Sequence, residues 1–177
     1  MTDYSDDLRD YVFSADPDVA VIDTLEFRNP AFLDEGGNVV PIRVANRRDD
    51  FTARLEADAP VNGGENVTFL ACAFEGQLPE SSDQSPPVFQ IAVSNAARVL
   101  MPWLDKAADS ADPLFMTYRA YLSDDLTAPQ FVMDGFTIKS VVAGMLQVTA
   151  SAGFEDFLNT PFGKKLYTLT DFPGLDR

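Results

Sequence analysis

From Val19 to Phe27 the chain reads VAVIDTLEF, with Val19, Val21, Asp23, Leu25 and Phe27 on one face and Ala20, Ile22, Thr24 and Glu26 on the other. Successive side chains of an extended strand point to opposite sides, so this period of two predicts a strand with one mostly buried face. The pattern returns in VPIRVAN, DFTARLEAD and NVTFLACAF, and the spacers DEGGN and VNGGEN place Gly-Gly pairs where hairpin turns require positive φ. These are antiparallel signals. Hydrophobic residues make up 46% of the 177 residues, 14 of them Phe, enough for one domain over residues 1–177 with a real core.

The stretch VFQIAVSNAARVLMPWLDKAADSADPLFMTYRAYLSDD breaks the alternation. Phe89, Ile91 and Val93 share one face of a strand. Ala96, Val99, Leu100, Trp103, Leu104, Ala107 and Ala108 then follow helical spacing, while Arg98, Asp105, Lys106 and Asp109 fall elsewhere. This predicts a helix around residues 95–109 that covers the core, with Ser94 or Asn95 as its N-cap. Pro102 predicts a kink or two short helices meeting there, the second eased by proline at its first position. Leu114, Met116, Tyr118, Ala120 and Leu122 restart the alternation, giving a β-α-β order. FVMDGFTIKSVVAGMLQVTASAGFEDF reads as a hairpin turning at Ala143-Gly144, with Phe136, Ile138, Ser140 and Val142 alternating along the strand into the turn and Leu146, Val148, Ala150 and Ala152 along the strand that leaves it.

Around this frame, Leu8, Tyr11 and Val12 give residues 1–17 the pattern of a helical arm stopped at Asp16-Pro17. Residues 75–87 lack periodicity and read as a loop, and residues 160–177 as an arm that lies on a neighbour. The predicted class is mainly β with one or two flanking helices (α+β), an antiparallel β-barrel or β-sandwich with a covering helix.

The residues that carry chemistry are sparse. There is no histidine, which removes His-based triads, imidazole metal sites and the usual neutral-pH base. Cys72 stands alone among apolar neighbours, so no intramolecular disulfide forms and a buried strand position outweighs a nucleophile. Asp105 with Asp109, and SDDL at Ser5 and Ser123, are what 28 acids scatter over a solvated face, and none has calcium-loop spacing. The glycines at 36–37 and 63–64 lack a phosphate-loop pattern, and the NVT at Asn66 is a chance sequon. Trp103 sits on the apolar stripe, where core packing outweighs an interface role. No catalytic, cofactor-binding or metal-ligating residue is assigned.

Thirteen basic against 28 acidic residues give a net charge of -15, which repels phosphate backbones and argues against sequence-reading contact with nucleic acid. The basic doublets Arg47-Arg48 and Lys164-Lys165 are too small for a nucleic-acid footprint. No apolar run nears the ~20 residues of a membrane span, and the acidic start is unlike a signal peptide, so the expectation is a protein kept in a cytoplasm.

The order of the pieces carries a resemblance. FLACAFEGQLPESSDQSPPVFQIAVSNAARVLMPWLDKAA, then PLFMTYRAYLSDDLTAPQ, then a hairpin, then PFGKKLYTLTDFPGL resembles the uncharacterised minor tail proteins of long-tailed, non-contractile bacteriophages and prophages. The matching positions are Val93-Ser94-Asn95, Tyr118 to Leu122, Ser123 to Pro129, and Phe172 to Leu175, within a span from Phe27 to Leu175. The chain departs at MPWLDK, where Pro102 falls inside the helix. The resemblance implies a non-enzymatic component of the tail tip or baseplate: a distal tail ring, homohexameric, joining the tail tube to the hub. It implies other tail proteins as partners, no cofactor, and a place in the virion after assembly in the bacterial cytoplasm. An acidic lumen would let DNA slide without sticking. Trp103, Arg119 and the Asp124-Asp125 loop are its candidate contacts with neighbours. Two other readings remain open: a ligand- or carbohydrate-binding barrel with Tyr118, Tyr121 and Phe131 converging on a pocket, and a cell-wall hydrolase with two acids ~5 to 10 Å apart.

Overall fold

The computed structural model describes residues 19–77, 88–94, 100–144 and 147–154. The expected arms at 1–17 and 160–177, most of the 75–87 loop, Asn95 and the first turn of the expected helix lie outside them. Among the described residues the architecture is mainly β with one short helix. Its strands are β1 (Val21–Arg28), β2 (Ile42–Ala45), β3 (Phe51–Arg54), β4 (Asn66–Ala71), β5 (Phe74–Gln77), β6 (Val88–Ser94), β7 (Phe115–Leu122), β8 (Phe131–Ala143) and β9 (Gln147–Phe154), with helix α1 (Met101–Ala108) between β6 and β7.

All nine strands join one sheet in the order β3-β4-β2-β1-β7-β8-β9-β6-β5. The hairpins predicted at the Gly-Gly spacers form: β1 pairs antiparallel with β2 and β3 with β4, with Gly37 at φ 80° and Gly64 at φ 71° in the turns. β8 and β9 likewise pair antiparallel across the Ala143-Gly144 turn. One pairing departs from the antiparallel expectation, since β2 and β4 run parallel through Val44↔Leu70 and Ala45↔Ala71.

Only Cys72 and Ala73 separate β4, which lies beside β2, from β5, which lies beside β6. The amide of Cys72 donates to the Ala45 carbonyl at 2.9 Å. The chain therefore brings the far end of the sheet back beside β2, and the sheet curls around a core of Leu25, Phe27, Phe89, Ile91, Met116, Tyr118 and Phe136, among others. A second core, with Ile22, Ala45, Ala53, Leu55, Val67, Phe69 and Tyr121, lies on the opposite face of β1, β2 and β7.

That second core corrects the expectation of one buried face on β1. Thr24, Leu25, Glu26 and Phe27 are all buried, because β3 and β4 fold back over the outer side of the wall. The β-α-β reading is also corrected. β6 and β7 are separated in the sheet by β8 and β9, and the three antiparallel pairings between them make β6 and β7 run in opposite directions. In β8 a register shift between Ile138 and Ser140 inserts Lys139 as an extra residue. Phe136 and Ile138 stay on the core face, but Val142 turns outward and is 67% exposed, against the predicted alternation.

Candidate functional site

Helix α1 begins where proline does least harm, because Pro102 falls in the first turn, whose amides lack intrahelical acceptors anyway. Leu100, just before it, is buried; Trp103 meets Phe32 edge to face at 5.6 Å; and Lys106 Nζ lies 4.3 Å from the Trp103 ring centroid. Leu104 and Ala107 pack on the large core, yet no residue of α1 is fully buried. A helix of eight residues has little stability of its own, so this partly covered face marks it as an element held by contacts.

Between α1 and β8 opens a groove of about 470 Å³ lined by Met101, Leu104, Ala107, Leu114, Ile138 and Val141. Asp105, Asp112 and Lys139 also line it, so an apolar floor carries both signs of charge. A small apolar pocket shares Leu104, Leu114, Ile138 and Val141 with the groove and reaches Ile91 and Val93 of the core. Beside it the bulge leaves Val141 40% and Val142 67% exposed on β8. The groove could seat apolar side chains of another polypeptide.

The strongest electrostatic feature lies elsewhere, on the outer face of β1 and β7. Arg119 is fully buried and donates through Nε and Nη2 to both oxygens of Glu56 at 2.7 to 3.0 Å. Fully buried Glu26 takes Arg43 at 2.7 Å, Arg119 at 3.4 Å and Arg28 at 3.5 Å. Arg28 continues to Asp134 at 2.7 Å, and the Thr117 hydroxyl donates to the same Asp134 oxygen at 2.6 Å. Three guanidinium groups thus face three carboxylates. Burial alone would raise the Asp134 carboxyl, but the Thr117 and Gly135 hydrogen bonds and the charges of Arg28 and Arg119 hold it below its ordinary range. Burial pushes the Tyr121 phenol up.

Among the residues singled out from sequence, Tyr118, Tyr121 and Phe131 do not converge on a pocket. Tyr118 and Phe131 are buried in the large core, with the Tyr118 hydroxyl on Asp23 at 2.6 Å, whereas Tyr121 is in the small core with its hydroxyl on the Arg54 carbonyl at 3.0 Å. Three residues apart on β7, Tyr118 and Tyr121 point to opposite faces, which corrects the aromatic-pocket reading. Arg119 is corrected as well, being sealed inside the network. Cys72 is buried and its thiol is pushed up by that burial. Asp125 closes its own turn by accepting from the amide and hydroxyl of Thr127 and from Gln130. Glu56, Asp58 and Asp134 line a second cleft, of about 340 Å³, but Glu56 and Asp134 are spoken for by arginines. Glu26, Glu56, Arg28, Arg43 and Asp134 were missed; the signal was charge on a strand face that the turn pattern gave no reason to bury.

Asp105 and Asp109 lie on α1 and its C-cap, exposed. The SDDL at Ser5, Lys164-Lys165 and Phe172 to Leu175 fall outside the described residues. Among the described residues, no helix is long and apolar enough to cross a membrane. Residues 7–167 match a family described as a domain of unknown function, DUF1833. No curated protein matches the chain.

Proposed function

Starting from a chain that belongs to the DUF1833 family, we propose that it is a structural subunit of a bacteriophage tail tip, a ring-forming distal tail protein that joins the tail tube to the hub. The observation that carries this reading is the surface between α1 and β8: an apolar groove beside the exposed Val141 and Val142, on a helix none of whose residues is fully buried. Exposed apolar surface of this kind suits assembly. The order of segments shared with minor tail proteins supports the same reading. The network of Arg28, Arg43 and Arg119 supports it too, since its charges are spent on one another and brace a wall between two cores.

On this reading the protein is not an enzyme, works without a cofactor, and contacts tube, hub and tip subunits in a homohexameric ring in the virion. Mass photometry and electron microscopy of the purified protein, alone and mixed with its tail partners, test it. A ring, formed alone or on the hub, is the expected result. A chain that stays strictly monomeric and fails to join any tail complex overturns the proposal.

A further inference from the structure

The chain has seven asparagines, and Asn62 alone is followed by glycine. In an Asn-Gly pair the glycine nitrogen attacks the side-chain amide carbon. A carbon–nitrogen bond forms, ammonia leaves with the side-chain nitrogen, and water then opens the cyclic imide to aspartate or isoaspartate. Glycine favours this step because no side chain shields its nitrogen.

Here both ends of the Asn62 side chain are engaged. Arg43 Nη2 donates to Oδ1 at 3.1 Å, and Nδ2 donates to Glu65 Oε2 at 2.7 Å. Asn62 holds φ at 60°, and its carbonyl accepts from the Glu65 amide at 3.0 Å. Gly63 is wedged: a Cβ built on it would stand 2.6 Å from the Ala57 carbonyl oxygen. Closing the imide ring needs the side chain to leave both partners and the Asn62–Gly63 peptide to turn against that wall. The product would be unfavourable as well, since a new carboxylate replaces the donor that faces Glu65.

We propose that Asn62 is a deamidation site of this chain, and that the Arg43–Asn62–Glu65 clamp together with the packing of Gly63 holds it unreacted in the folded state. This goes beyond the assembly reading and does not depend on it. The same clamp ties the β3–β4 connection to the buried network through Arg43, so conversion would place an added negative charge beside that network.

The test is peptide mass spectrometry of the full-length protein after incubation in mildly alkaline buffer, folded or unfolded in urea, with isoaspartate measured in parallel. Conversion at Asn62 in the folded protein is expected to be at least about tenfold slower than in urea. Glu65→Ala, shown by thermal melting to be folded, is expected to move the folded rate towards the unfolded one, whereas Glu65→Gln keeps an acceptor and the brake. Equal rates in folded and unfolded wild type overturn the protection, and no conversion in urea overturns the site. A folded Glu65→Ala that converts no faster than wild type overturns the role of the clamp, and the wild-type comparison decides the rest without that variant.

Discussion

Arg119 and Glu56 lie 63 residues apart in sequence, yet the buried guanidinium meets the carboxylate in a two-pronged pair, Nη2 to Oε1 at 2.7 Å and Nε to Oε2 at 2.8 Å. The pair fastens the segment after β3 to the sheet at β7. Burial alone would lower the Arg119 pKa, but the hydrogen bonds it donates to Glu56 and the charges of Glu26 and Glu56 hold it raised.

Glu56→Gln removes the charge that faces Arg119 and leaves a buried cation whose nearest remaining carboxylate among the described residues is Glu26, at 3.4 Å. Breaking a buried pair from one side costs ~3 to 5 kcal/mol, and the slight exposure of Glu56 puts the expected loss at the lower end. Urea unfolding checks this. A loss under ~1 kcal/mol would mean that solvent reaches Arg119 far better than its burial implies.

Asp134 sets part of the acid limb. Its folded pKa lies below the ordinary 3.8, so its contribution to stability is present above that pH and is lost as pH falls through the lower folded value. The stability difference between wild type and Asp134→Asn should therefore be full at neutral pH and vanish in strong acid. Denaturant midpoints across that range measure it. A difference that grows on acidification contradicts the assignment.

Cys72 should be silent in the folded protein. A buried thiol whose pKa is raised presents little thiolate, so an aromatic disulfide reagent is expected to label it only at the rate of opening and to label it fully in urea. Rapid labelling of the native protein would contradict its placement between β4 and β5.

Val142→Asp separates folding from assembly. With 67% of Val142 exposed, its stability cost should stay within ~0.5 kcal/mol, whereas a core truncation such as Phe136→Ala should cost ~3 to 5 kcal/mol. On the proposed function, assembly with tail partners should nevertheless weaken. A Val142→Asp protein that assembles like wild type removes this end of β8 from the interface.

Much of the fold was legible because alternation and Gly-Gly turns are local signals. The β1–β2, β3–β4 and β8–β9 hairpins follow from them, as does the core face of Phe89, Ile91 and Val93. The second core was not legible, because Thr24, Glu26, Thr117 and Arg119 have the composition of a solvent face and are buried only by partners such as Glu56, far along the chain. One inserted residue, Lys139, reverses the parity of β8 without marking itself in the hydrophobic pattern. The groove escaped for a related reason: it is made by α1 and β8, which no pattern in either segment brings together.

The wall that separates the two cores has a consequence during synthesis. β1 is paired with β7 from Val21↔Leu122 to Arg28↔Phe115, so its outermost partner leaves the ribosome about 100 residues later. At ~5 to 20 residues per second, β1 waits roughly 5 to 20 s with a hydrogen-bonding edge open and apolar residues on both faces. The nascent chain is therefore most vulnerable to wrong association while β1 and β2 are already out and β7 is still being made.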